Sequence, residues 1–149
     1  MVVGVDGSPA SIDALKWATR QASLTGAAVE AVIAWQYPMM SGGYPIATEV
    51  DWPSTAQEVL DTAVTEAFGA HSDQVSRTVI EGHPAKVLID AAADADLLVV
   101  GSRGHGGFAG MLLGSVSEHV AAHAHCPVLV IRHSSDPDPR VAGHPGHCP

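Results

Sequence analysis

The sequence predicts one α/β domain, an open five-stranded parallel sheet with helices on both faces, in the order β-α-β-α-β-α-β-α-β. Three observations predict it. First, short runs of Val, Leu, Ile and Ala recur without polar alternation, as expected of strands buried on both faces. Second, segments with apolar residues three and four apart separate those runs, so each parallel strand has a helical crossover. Third, the 149 residues are 46% hydrophobic but only 15% charged and 5% aromatic, so the apolar mass is small and aliphatic. That length and composition suit one compact domain.

The first strand is VVGVD, Val2 to Asp6. Ser8 and Pro9 then supply an N-cap and a first helical residue. Ile12, Leu15, Ala18 and Ala22 form that helix's apolar face, and Gly26 ends it. VEAVIAW, Val29 to Trp35, is the second strand. Residues Gln36 to Pro53, with three prolines and two glycines, form a long loop of the functional kind. A helix follows from about Ser54 to Ala70, then a third strand from Val75 to Ile80. Gly82, His83 and Pro84 open the next helix, with Val87, Leu88, Ala91 and Ala95 as its stripe. DLLVVG, Asp96 to Gly101, is the fourth strand. The last helix runs from about Ser115 to His123, with Ser115 and Glu118 in the S-x-x-E pattern of a capping box. PVLVIR, from Pro127, is the fifth strand. The Pro-, His- and Gly-rich tail, 133–149, is expected to be disordered, leaving 1–132 as the folded domain.

Open parallel sheets bind ligands beyond the carboxyl ends of their strands. Asp6, Trp35 and Gly101 all fall at such ends. So does GSRGHGGFAGMLLGS, Gly101 to Ser115, with six glycines in fifteen residues. It leads directly into a helix N-terminus, where unpaired N–H groups and a partial positive charge favour anions. A phosphate chain fits along the amides of Ser102, Arg103 and Gly104 and then those of Ser115, Val116 and Ser117. The hydroxyls of Ser115 and Ser117 add donors, and Arg103 adds charge. A plain flexible loop and a merely capping Ser115 are the bland alternatives. The Walker pattern G-x4-G-K-S/T is absent, and GHGGFA matches a dinucleotide fingerprint only after the wrong strand.

GSRG, nine residues, then GS spell G-x2-G-x9-G-S/T. With VVGVDGSPAS at the start and HCPVLVIR near the end, the chain from Val2 to Arg132 resembles a universal stress protein of the ATP-binding type. That resemblance implies a Rossmann-like fold of the adenine nucleotide alpha-hydrolase kind. It implies ATP as ligand, accompanied by Mg2+, with AMP or a cyclic nucleotide as alternatives. By position, it implies Asp6 near ribose and phosphates. Ala34 and Trp35 fall at the adenine, Trp35 mostly through backbone. Val100, Gly101, Ser102, Arg103 and Gly104, with Gly114, Ser115, Val116 and Ser117, match the ribose and triphosphate loop. It further implies a cytoplasmic homodimer formed through the last strand, Pro127 to Ile131. Trp35 departs from the family's smaller aliphatic at that position.

The net charge of −9 argues against a general role on DNA or RNA. The two cysteines suggest no disulfide framework and fit a reducing cytosol. No signal peptide is read at the N-terminus, and no apolar run approaches the ~20 residues of a membrane span. His119, His123, His125 and Cys126 lack a complete zinc spacing, so the histidines are read as complementing a helix C-terminus. No nucleophile–base–orienter set is legible. The leading expectation is therefore a dimeric, nucleotide-dependent regulator of a stress response. A slow ATPase or autophosphorylating enzyme is one alternative, and a nucleotide-independent interaction module is another.

Overall fold

Strands β1 (Val2–Gly4), β2 (Glu30–Trp35), β3 (Ser76–Glu81), β4 (Leu98–Gly101) and β5 (Val128–Ile131) form one sheet in the order β3-β2-β1-β4-β5. Every pairing is parallel: Val3 sits opposite Ala31 and Val99, and Val99 opposite Leu129. The computed structural model describes residues 1–37, 50–104 and 113–133. The chain winds outward from β1 to β3, then restarts at β4 on β1's other side. The direction of winding therefore switches between β1 and β4, giving a Rossmann-like sheet.

Alternation along each strand sorts the core into two layers. Val3, Ala31, Ile33 and Val99 face helices α1 (Pro9–Thr25) and α2 (Trp52–Phe68), where they meet Leu15, Leu60 and Val64. Val2, Val32, Leu98 and Val100 face α3 (Pro84–Ala91) and α4 (Ser115–His123), where they meet Leu88 and Val120. This explains the unbroken apolar runs, because neither face of a central strand meets water. Leu15, Leu60 and Leu98 are fully buried, each contributing about 1.5–3 kcal/mol relative to exposure.

The helix starts follow local chemistry. The Ser8 hydroxyl accepts the Ser11 N–H at 3.3 Å, and Pro9 occupies the first turn of α1, as its sequence indicates. Gly26, left-handed at φ 75°, closes that helix by donating its N–H to the Ala22 carbonyl at 2.8 Å. Helix α2 begins at Trp52 and not Ser54, because Asp51 caps it by accepting the Ser54 N–H at 3.2 Å. Pro53 then lies in the first turn, where a missing N–H costs nothing. It ends at Phe68, and a 3-10 turn (Gly69–Gln74) leads to β3. The His83 ring caps α3 by accepting the Ala85 N–H at 3.3 Å.

Helix α4 departs from expectation. Ser115 is its first helical residue and not its cap; Gly114 holds the cap position, and no side chain bonds there. The capping box fails because the carbonyl that accepts the first intrahelical bond, from the Glu118 N–H at 3.0 Å, is Gly114's. Most of the loop after Trp35 (38–49), the glycines Gly106, Gly107 and Gly110 and the tail beyond His133 lie outside the described residues. His133 itself reaches back to α1, with Nδ1 2.6 Å from an Asp13 carboxylate oxygen.

Candidate functional site

At the switch between β1 and β4 the two exits diverge, and a cleft of about 500 Å3 opens above the sheet. Val5, Val32, Ala34, Leu88 and Val100 line it with apolar surface. Asp6, Arg103, Ser115 and Ser117 are among its polar groups. Three chain segments make the polar side: the β1 exit, the β4 exit and the start of α4.

The β1 exit is closed on itself. An Asp6 carboxylate oxygen accepts the Ser8 N–H at 2.8 Å, in an Asx turn. The Ser11 hydroxyl donates to the Ser8 carbonyl at 2.9 Å and accepts the Asp6 N–H at 3.4 Å. These bonds fix the Asp6 carboxylate at the cleft mouth, where the residue is exposed.

The β4 exit is pinned at its base. The Ser102 N–H donates to the Ile131 carbonyl at 2.7 Å, extending the pairing with β5. The Ser102 carbonyl accepts the Gly114 N–H at 2.6 Å, which joins the two ends of the glycine-rich segment. The Ser117 hydroxyl donates to the Gly101 carbonyl, and the Ser8 hydroxyl makes a long contact with the Arg103 carbonyl at 3.5 Å.

Two glycines here answer to different neighbours. A Cβ on Gly101 would stand 2.7 Å from the Ala10 carbonyl carbon and 2.8 Å from its methyl. Gly101 therefore lets α1 press against β4, which is a packing role. A Cβ on Gly104 would overlap the Asp6 carboxylate. Gly104 thus keeps backbone, and no side chain, against the acid at the cleft mouth.

The start of α4 is open. The amides of Ser115, Val116 and Ser117 have no acceptor within the helix, and all three residues line the cleft. Every other described α-helix has a side-chain cap, from Ser8, Asp51 or His83.

The cleft gathers all the sequence-predicted residues except Trp35 and Ser102. Ser102 is buried beneath, where its backbone ties β4 to β5 and to Gly114. Trp35 follows Ala34 in β2, so strand alternation sends its ring to the opposite face. There it packs on the α1–α2 layer and meets Tyr37 edge-on, centroids 5.0 Å apart. Its carbonyl accepts the Gly82 N–H at 2.8 Å. Sequence reasoning missed Val32, Pro84 and Leu88 in the cleft wall. A signal for Val32 was present, two residues before Ala34 and hence on the same face. Pro84 and Leu88 are one helical turn apart at a helix start, but only the packed crossover brings that helix to the cleft.

The Universal stress protein family model matches residues 1–132. A universal stress protein of Mycobacterium tuberculosis is 39% identical over 139 residues, covering 90% of this chain and 45% of the relative. Another, of Mycobacterium bovis, is 37% identical over 143 residues, with the same coverage. The chain thus spans about half the length of the curated relatives it matches. Among solved structures, a universal stress protein in complex with cAMP superposes with a TM-score of 0.66 at 30% identity, covering 89% of this chain and 95% of that one. One from Archaeoglobus fulgidus gives 0.65 at 26% identity, covering 87% and 90%. Motif, sheet order and family match agree: this chain belongs to the universal stress protein family.

Proposed function

We propose that the cleft binds an adenine nucleotide, with ATP and Mg2+ as the working ligand, and that the protein is a dimeric nucleotide-dependent regulator in a stress response. One observation carries the ligand reading. Among the described α-helices, only α4 starts without a side-chain cap, and that start opens into the cleft. Phosphate oxygens are suited to those amides, with Arg103 adding charge. Several charge-assisted hydrogen bonds of about 1.5–3 kcal/mol each would supply most of the affinity. The apolar wall of Val32, Ala34, Leu88 and Val100 suits the face of a purine base. Asp6 is the carboxylate among the lining residues. Mg2+ commonly takes one or two carboxylates plus phosphate oxygens, so Asp6 fits a metal that accompanies ATP. The cAMP complex of a 30% identical relative supports the nucleotide class.

Three of the four lining serine hydroxyls are already engaged, which disfavours autophosphorylation there. Ser8, Ser11 and Ser117 each bond backbone groups, and those bonds hold the loops in place. Strand β5 pairs with β4 and forms one edge of the sheet, which suits association through Pro127 to Ile131. No helix among the described residues is long and apolar enough to cross a membrane.

Calorimetric titration of the purified protein with ATP, AMP and cAMP, each with and without Mg2+, tests the reading. Binding of ATP strengthened by Mg2+ is expected. No binding at millimolar ligand overturns it and leaves the nucleotide-independent module. Radiolabelled ATP separates the remaining pair: turnover abolished by Asp6→Ala or Gly114→Val indicates the enzyme, and binding without turnover the switch.

A further inference from the structure

We propose that His119 and His123 form a second ligand site on α4, chelating a late first-row divalent cation such as Zn2+, Ni2+ or Cu2+ through two imidazole nitrogens. It is separate from the nucleotide reading, since neither histidine lines the cleft. The two lie four residues apart, on one face of the helix. Their ring centroids are 4.7 Å apart. With metal–nitrogen bonds of about 2.0–2.1 Å, a ring centre lies about 3.2 Å from the ion, so ligands at 90–109° have centres about 4.5–5.2 Å apart. The observed separation falls inside that window. Both side chains belong to exposed residues, so rotation of the rings to aim a nitrogen at one ion meets little resistance.

The setting favours a cation. His123 is the last residue of α4, at the negative end of the helix. Imidazole pairs suit Zn2+, Ni2+ and Cu2+, with Cu2+ bound most tightly, and not Mg2+ or Ca2+, which prefer oxygen. Among the described residues no third ligating side chain joins the pair, so water completes the shell.

His83 is an internal control. Its ring centre lies 6.5 Å from that of His119. Its Nδ1 is also engaged, accepting the Ala85 N–H.

The test is calorimetry of the full chain with ZnCl2 or NiCl2 alone, no nucleotide present, on five proteins: wild type, His119→Ala, His123→Ala, His83→Ala and His144→Ala/His147→Ala. The expected result is one micromolar site, weakened by roughly tenfold or more in the first two variants as one of two metal–nitrogen bonds is lost. The His83 and tail variants keep it. X-ray absorption of the Zn2+ form should show two imidazoles per ion. Wild-type affinity in both α4 variants, or loss of the site in the tail variant, overturns the proposal.

Discussion

Helices α1 and α4 both start at the carboxyl edge of the sheet, both beside the cleft, and both with a Gly-Ser pair. They end up opposite in character. In Asp6-Gly7-Ser8-Pro9 the serine is the cap, the aspartate takes the serine's N–H, and proline has no N–H to satisfy. In Gly114-Ser115-Val116 the serine falls one position later, inside the helix, and the cap position has no side chain. One helix start is therefore closed by its own residues, and the other has no side-chain cap. A single position in the register decides which.

The largest effect should come from closing the open start. Gly114 has an extended backbone, φ −74° and ψ 166°, so an aspartate can adopt it. Gly114→Asp supplies the missing cap and puts a carboxylate where phosphate oxygens are proposed. ATP affinity should fall about 100-fold, equivalent to about 2.7 kcal/mol. Thermal stability should change little. The new cap contributes about 1 kcal/mol, offset by the tight approach of the new Cβ to the Arg103 Cα at 3.3 Å. Unchanged affinity in calorimetry would show that α4's start is not the phosphate site.

Gly101 and Gly104 separate packing from the proposed nucleotide contact in the same way. Gly101→Ala drives a methyl into the backbone of Ala10 and should cost about 1–3 kcal/mol in denaturant unfolding. Gly104→Ala instead meets the exposed Asp6 carboxylate, so nucleotide affinity should fall more than stability. The reverse pattern would mean that these glycines had been assigned to the wrong roles. At the closed start, Ser8→Ala leaves the Ser11 N–H without its acceptor and should cost about 1 kcal/mol, read as a lower Tm. A Tm equal to wild type would mean that α1 does not depend on its cap.

The fold was legible because both layers of the core leave a one-dimensional trace. Val2-Val3 and Leu98-Val99-Val100 read as apolar runs because alternate residues serve opposite layers. The candidate site was legible where it consists of chain ends: Asp6, Gly104 and the first turn of α4 follow from strand ends and a helix start. It was obscure where parity or packing decides. Trp35 stands at a strand end like Asp6, yet alternation gives the cleft Ala34's side chain and takes Trp35's away. Ser102 lies inside the motif, yet its backbone is engaged by Ile131 and Gly114. Ser115 and Glu118 match a capping box in spelling, and only the backbone shows that Gly114, not Ser115, holds the cap position.

The smallest effect bounds the comparison from outside the cleft. On the far side of the sheet, an Arg77 Nη1 donates to an Asp61 carboxylate oxygen at 2.7 Å, joining β3 to α2. That hydrogen bond, above all, holds the Asp61 carboxyl below its ordinary range. A lowered folded-state value means that the pair stabilises the protein at neutral pH. The contribution fades as pH falls through that value and vanishes once folded and unfolded chains are both protonated. Asp61's side chain is 45% exposed, so water screens the pair and Asp61→Asn should cost only about 0.5 kcal/mol at pH 7, less at high salt. The gap to wild type should close on acidification, measured by urea unfolding across pH. Nucleotide affinity should not move, because neither residue lines the cleft. A drop in affinity would show that α2 and β3 couple to the open start of α4, and the closed and open helix starts would then no longer account for binding by themselves.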